Sequence, residues 1–106
     1  YERLRPAILH MDRHFAVHPS LAELAGLVGQ SAEHFHRSFR SLTGVTPFAY
    51  LLRLRMTRAR RLLHGGLSVK EAAAQCGYED PLYFSRVFAR YFRQRPSACR
   101  REALRG

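Results

Sequence analysis

The sequence predicts an all-α fold with two helix-turn-helix units joined by a central linker helix. Apolar residues recur at spacings of three and four along the whole chain, and alternation with a period of two is absent over more than a few residues. Glycines and prolines divide this pattern into segments of helical length. The second half of the chain also repeats the first, which predicts two copies of one structural unit.

Length and charge limit the class of protein. The chain has 106 residues, 46% of them hydrophobic, which suits one globular domain and argues against disorder. No apolar run approaches the ~18 residues of a membrane span. Eighteen basic residues against eight acidic ones give a net charge of +10, which predicts a polyanionic partner, although a GC-rich genome would also raise the arginine count. Two cysteines make no disulfide framework, so we expect a reduced, cytoplasmic setting.

The first predicted helix ends near His14, before the helix-breaking pair His18 and Pro19. Its apolar stripe consists of Leu4, Ile8, Met11 and Phe15.

The first helix-turn-helix unit is predicted at about residues 20–44. Ser20 and Glu23 have the spacing of a capping box, in which each side chain accepts a hydrogen bond from the other residue's amide. Gly29 supplies the turn, Ser31 caps the following helix and Gly44 ends it. The inward faces are predicted to be Leu21, Leu24, Ala25 and Val28 on the first helix, and Phe35, Phe39 and Leu42 on the second.

The linker helix is predicted at about residues 47–64, with Pro47 at the first helical position, where its missing N–H has no cost. Its apolar positions are Phe48, Leu51, Leu52, Ala59, Leu62 and Leu63, and the pair Gly65 and Gly66 ends it.

The second unit, at about residues 68–93, repeats this layout. Ser68 and Glu71 form another capping box, Gly77 supplies the turn and Asp80 caps the next helix. The predicted inward residues are Val69, Ala72, Ala73 and Cys76, then Phe84, Phe88 and Tyr91, and Pro96 stands where Pro47 stood.

The repeat is an internal duplication. At a shift of 48, Ser20, Glu23, Ala25 and Gly29 match Ser68, Glu71, Ala73 and Gly77; at a shift of 49, Phe35, Arg37, Phe39 and Pro47 match Phe84, Arg86, Phe88 and Pro96. Each half is near the ~40 residues below which domains rarely fold alone. We therefore predict a single domain over residues 1–106, in which the linker helix contributes to both cores.

Helical geometry separates a candidate functional face from the core. With the phenylalanines inward, the opposite faces carry Glu33, His36, Arg37 and Arg40 in the first unit, and Leu82, Ser85, Arg86, Ala89 and Arg90 in the second. Arginine can bind guanine O6 and N7, a carboxylate can accept from cytosine, and leucine can pack on a thymine methyl group. An ordinary solvated helix face is the alternative, which the apolar Leu82 fits poorly. A linker of roughly 25 Å plus the flanking helices suits two readers of one DNA face, which recurs every ~34 Å.

Three motifs resemble the signature of the AraC/XylS family of bacterial transcription regulators: CGY at 76–78, YFSRVF at 83–88 and RP at 95–96. The stretch YLLRLRMTRARRLL at 50–63 is similar to that family's linker helix. The resemblance runs from about residue 4 to residue 100. It implies about seven helices and two recognition helices that enter successive major grooves of double-stranded DNA. We expect the DNA-binding residues to be Ser31, Glu33, His36, Arg37, Arg40, Pro81, Leu82, Ser85, Arg86 and Arg90.

The same resemblance implies further partners. Many members carry an N-terminal effector or dimerisation domain, and an activator of this kind contacts RNA polymerase. The chain begins at Tyr1 and not at Met, so we expect a fragment. The alternative function is the DNA-targeting module of a larger DNA-repair enzyme, such as a methyltransferase. A role at a membrane surface is disfavoured, because the arginines lie beside a core-forming stripe.

Departures from the family occur at Arg93, where glycine is usual, at Arg95, where a small polar residue is usual, and at Cys99, where an aromatic residue is usual. Extra charge directed at phosphates is expected there.

The histidines invite a metal hypothesis, because His10 and His14 are four residues apart on a helix. No third ligand of clear geometry follows apart from His18, so we expect no metal site. No catalytic constellation stands out either, so we expect no cofactor and no enzymatic activity.

Overall fold

A computed structural model describes residues 2–105, which form seven α-helices, two short 3-10 turns and no strand. The helices are α1 (Arg5–His14), α2 (Leu21–Leu27), α3 (Ala32–Thr43), α4 (Pro47–His64), α5 (Val69–Gln75), α6 (Pro81–Phe92) and α7 (Pro96–Arg105), and the 3-10 turns are Glu2–Leu4 and Phe15–Val17. The predicted all-α class is confirmed. No helix between residues 2 and 105 is long and apolar enough to cross a membrane.

Side-chain caps begin four of these helices at the predicted residues. The hydroxyls of Ser20, Ser31 and Ser68 each accept a hydrogen bond from the amide three residues later, at 3.1, 3.2 and 3.1 Å. The Asp80 carboxylate accepts from the Leu82 amide at 2.9 Å. These bonds satisfy amides that have no partner within the helix, which is why α2, α3, α5 and α6 begin there.

The two predicted capping boxes differ. The Glu71 carboxylate accepts from the Ser68 amide at 3.1 Å, so the box at α5 is complete, and hydrogen bonds from Ser68 lower the pKa of Glu71. At α2, within the described chain, only the bond from the Glu23 amide to the Ser20 hydroxyl is formed, so the reciprocal half of that predicted box is wrong.

The chain divides into two compact units, one ending at Leu54 and the other beginning at Arg55. The division falls inside α4, so the linker helix supplies residues to each unit.

The first unit has a core drawn from α1, α2, α3 and the first half of α4. Its buried residues are Leu4, Ala7, Met11, Leu24, Ala25, Phe35, Phe39 and Leu51. The Tyr50 hydroxyl donates a hydrogen bond to Asp12 Oδ1 at 2.7 Å, and the Tyr50 ring meets the edge of Phe39. These contacts hold α4 against α1 and α3.

The second unit buries residues from the other half of α4 and from α5, α6 and α7. They are Met56, Ala59, Leu63, Ala72, Ala73, Cys76, Tyr78, Phe84, Phe88, Pro96 and Cys99. Burial raises the pKa of the Cys76 thiol to about 11, so this side chain is a neutral apolar group at neutral pH, as predicted. The Arg100 guanidinium donates to the carbonyls of Gly66 and Leu67 at 3.0–3.3 Å, which ties α7 to the end of α4.

Three residues predicted to face inward are exposed instead. Leu42 is 48% exposed, Tyr91 40% and Phe48 69%. Leu42 and Tyr91 occupy the last turns of twelve-residue helices whose partners, α2 and α5, have only seven residues, so those partners end before they can cover them. Phe48 lies in the first turn of α4 next to the buried Pro47, and it is not among the residues packed against the first core.

The apolar stripe of α4 was also predicted incompletely. Met56 is fully buried although it was not assigned to the stripe, whereas Leu52 and Leu62 are only half-buried. Arg55 is 5% exposed and hydrogen-bonds to Tyr78, whose own pKa is raised by burial. A charged residue therefore occupies a core position beside a phenol that can accept its hydrogen bond.

Replacing Leu63 by Ala should lower the free energy of unfolding by ~2–5 kcal/mol, because this fully buried side chain leaves a cavity. Leu52→Ala should lower it less, since Leu52 is half-buried. Phe48→Ala is the matched exposed control and should change it by less than about 0.5 kcal/mol. Denaturant unfolding followed by circular dichroism measures all three. Equal losses for Leu63→Ala and Phe48→Ala would contradict this core.

The two units should unfold in one transition, because both depend on α4 and unwinding its middle removes buried residues from each. Thermal unfolding followed by far-ultraviolet circular dichroism and by tyrosine fluorescence should give coincident curves. Two separated transitions in the intact chain would show that the single-domain prediction is wrong.

Candidate nucleic-acid interface

In the first unit, the rotation of α3 is fixed by two buried phenylalanines. The rings of Phe35 and Phe39 are fully buried, with centroids 5.7 Å apart. Residues four apart share one helix face, so the opposite face of α3 must point to solvent. Glu33, Arg37 and Arg40 are exposed there and His36 is half-buried.

Polar contacts join α3 to the turn that precedes it. Ser31 is exposed and caps the helix, and the Ser38 hydroxyl donates to Gln30 Oε1 at 3.0 Å. Gly29, in the turn, has a φ of +66°. The Ser38 contact was not predicted, because a hydrogen bond over eight residues leaves no periodic signal in the sequence.

The second unit repeats this geometry. Phe84 and Phe88 are fully buried, with ring centroids again 5.7 Å apart. On the opposite face of α6, Arg86 and Arg90 are exposed and Ser85 is half-buried. Leu82 is 72% exposed on the same face, so its apolar side chain is accessible to a partner. Pro81 occupies the first turn of α6 and is half-buried.

Each unit has a shallow groove beside its second helix. The first groove is lined by Leu21, Ala32, Glu33, His36 and Arg37. The second is lined by Val69, Leu82, Ser85, Arg86, Ala89, Arg95, Pro96 and Ser97. Four positions of the first groove recur in the second at the shifts of the duplication, so the repeated sequence forms a repeated surface.

The structure therefore brings together part of each predicted set. Glu33, His36 and Arg37 share the first groove, and Leu82, Ser85 and Arg86 share the second. Ser31, Arg40, Pro81 and Arg90 lie on or beside the same helices but do not line these grooves.

The groove linings differ in charge. The first contains one arginine and one glutamate, whereas the second contains Arg86 and Arg95 and no acidic residue. Arg95 was singled out in the sequence as a departure from a family pattern that adds charge directed at phosphates, and it lies in the connection between α6 and α7.

The two histidines that share one face of α1 lie against each other. The centroids of the His10 and His14 rings are 4.7 Å apart, and the two ring planes are tilted by 42°. Between residues 2 and 105, no three side chains of the ligating types come together in a way that could hold a metal ion.

Two helix-turn-helix units with exposed arginines on each second helix define a DNA-binding module. A family model described as a helix-turn-helix domain matches residues 24–102. The chain belongs to the AraC/XylS family of helix-turn-helix transcription regulators.

Individual relatives agree with this assignment. The chain is 37% identical over 99 residues to the HTH-type transcriptional activator RhaS of Enterobacter sp. (strain 638), covering 92% of this chain and 36% of that protein. It is similar to the DNA-binding domain of AdpA, solved in complex with a target DNA, with a TM-score of 0.85, 32% identity and coverage of 93% and 90% of the two chains. An AraC-type regulator from Chromobacterium violaceum gives a TM-score of 0.85 at 28% identity, with coverage of 96% and 92%.

The chain spans about a third of the length of the curated relatives it matches. The matched region is the DNA-binding part of a transcription regulator.

Binding to duplex DNA should weaken steeply with salt, because arginines that neutralise phosphates release counterions. Each contact contributes about −0.9 to the slope of log affinity against log salt, and six or more contacts give a slope steeper than about −5. Fluorescence anisotropy titrations at several salt concentrations measure this slope. A value near zero would contradict binding through the arginines.

Proposed function

We propose that this chain is the sequence-reading domain of a cytoplasmic bacterial transcription regulator, which inserts α3 and α6 into successive major grooves of its operator. The carrying observation is the pair Arg37 and Arg86. They occupy equivalent positions of the duplication, both are exposed, and each lies opposite a buried phenylalanine pair.

The residues that line the two grooves suit base edges. Arg37 and Arg86 present planar forks that match guanine O6 and N7. Glu33 would accept from a cytosine amino group, and Leu82 would cover a thymine methyl group. The half-buried His36 and Ser85 have shorter side chains, and each would add a polar contact to the DNA in its groove. At equivalent positions of the two grooves, only the arginine is the same residue in both units. The two DNA half-sites should therefore share a guanine and differ in the neighbouring base pairs.

The residues at the margins of the reading faces would hold the duplex backbone. Arg40 and Arg90 are exposed near the ends of α3 and α6, one turn beyond the groove arginines. Ser31 and Pro81 lie at the opposite ends, where the first turn of each helix would approach a phosphate. Such contacts set position and not sequence.

The whole protein is proposed to be an activator that contacts RNA polymerase and carries an effector or dimerisation domain on its N-terminal side. The supporting facts are the length of the relatives and the name of RhaS, a transcriptional activator. The names of these relatives favour a regulator over the targeting module of a DNA-repair enzyme, and we propose no enzymatic activity.

The test is a selection from random duplexes followed by competition binding. Arg37→Ala and Arg86→Ala should each lose roughly 1–3 kcal/mol on the selected duplex, because each removes a bidentate contact to guanine. Each loss should shrink when the guanine that the arginine contacts is replaced. The two sensitive positions should lie about one helical turn, ~34 Å, apart.

Arg58→Ala is the matched control, since Arg58 is exposed on α4 and outside both grooves. It should weaken all duplexes equally or leave them unchanged. If neither Arg37→Ala nor Arg86→Ala alters base preference at any position, the proposed reading face is wrong.

A further inference from the structure

The connections that follow α3 and α6 are equivalent in position but differ in charge. Gly44, Val45 and Thr46 join α3 to α4, whereas Arg93, Gln94 and Arg95 join α6 to α7. Pro47 and Pro96 then begin the next helix in each case. The second copy therefore carries two additional positive charges within three residues.

Arg93 adopts a backbone conformation that is unfavourable for arginine. It ends α6 with a φ of +56° and a ψ of +36°, the left-handed region. Its equivalent Gly44 ends α3 with a φ of +81°, where a glycine has no Cβ to clash. The α6 end thus carries an arginine at a position where glycine would be more stable.

Arg95 occupies the N-cap position of α7, but its side chain cannot accept a capping hydrogen bond. Its carbonyl accepts the first hydrogen bond of α7, from the Cys99 amide at 3.0 Å, which makes it the N-cap residue. The equivalent Thr46 caps α4 through its side chain, which accepts from the Ala49 amide at 3.1 Å. Arginine has no acceptor, so α7 lacks the side-chain cap that threonine would provide.

Arg93 and Arg95 lie two residues apart, and at each position the local backbone would favour a different residue. This cost to stability indicates that the two charges serve to bind a partner. Arg93 and Arg95 are exposed, and Arg95 lines the second groove together with Arg86. No acidic residue lines that groove, whereas the first groove holds Glu33 beside Arg37. A polyanion is the ligand that this surface fits.

We propose that the α6–α7 connection binds the DNA backbone through Arg95, at the edge of the second groove, and through Arg93 beside it. The second unit then anchors the duplex by charge, while the first unit, with no net charge in its groove, depends more on base contacts. The proposal rests on the function proposed above, because it requires α6 to lie in a DNA groove.

The test replaces each arginine by the residue of the first unit. Arg95→Thr and Arg93→Gly are titrated with the selected duplex and with a scrambled duplex at several salt concentrations. Each should reduce the steepness of the log–log salt slope by about 0.9, so that raising salt about fourfold weakens the variant roughly 3.5-fold less than the wild type. Both duplexes should be affected by the same factor, because a phosphate contact carries no sequence information.

The thermal stability of each variant is an independent measurement. If the arginines stabilised the fold, their replacement would lower the Tm. Arg95→Thr supplies a capping side chain and Arg93→Gly relieves the left-handed residue, so the Tm of each variant should equal or exceed that of the wild type. Weaker binding by a protein of undiminished stability would support the proposal. Weaker binding accompanied by a lower Tm would overturn it.

Arg105→Thr is the matched control, because it removes one charge from the other end of α7, about 13 Å along the helix from Pro96. It should leave the slope unchanged. An unchanged slope in Arg95→Thr, an equal change in Arg105→Thr, or an altered base preference in Arg95→Thr would overturn the proposal. A flat slope in the wild type would instead refute DNA binding itself, so the two failures are distinguishable.

Discussion

The burial of two phenylalanines on the second helix of each unit constrains everything that helix can present to a partner. In both units the ring centroids are 5.7 Å apart and neither ring is exposed. The first helix of each unit carries a buried alanine, Ala25 or Ala73, whose small side chain permits a close approach of the two helices. A rotation of α3 or α6 about its axis would expose both of its phenylalanines to water. The arginine on the opposite face is therefore held outward. The orientation of the proposed reading surface therefore follows from the core.

Local chemistry explains why so much of this fold could be predicted from the sequence. Caps such as Ser31 and Asp80 act within three residues, so their positions in the sequence determine where helices begin. The inward faces at Leu42, Tyr91 and Phe48 were predicted wrongly because periodicity records which side of a helix a residue occupies and not where the neighbouring helix ends. The residues that line the second groove could not all be predicted from the sequence. Arg95 belongs to the connection after α6, and helical periodicity does not show which groove a connecting residue lines.

The duplication separates what the fold needs from what the surface is free to vary. Several positions that cap, turn or pack carry the same residue in both copies, as at Ser20 and Ser68 or Ala25 and Ala73. Positions on the groove differ between the copies except at Arg37 and Arg86, and Leu82 stands where the first copy has Glu33. The two proposed reading faces therefore differ in chemistry although they share one core pattern. Such a difference suits the proposed recognition of two unlike half-sites, because identical faces would select identical half-sites.

The net charge of +10 overstates the charge available to DNA, because several arginines have roles within the units. Arg55 is buried beside Tyr78, and Arg100 is bonded to two backbone carbonyls. The Arg60 guanidinium lies 4.6 Å from the centre of the Phe92 ring, and that of Arg53 lies 5.3 Å from the centre of Tyr50. Arginine suits both tasks, since its planar cation stacks on rings and also binds phosphates. The number of DNA contacts must therefore be inferred from where each arginine lies and not from the composition of the chain.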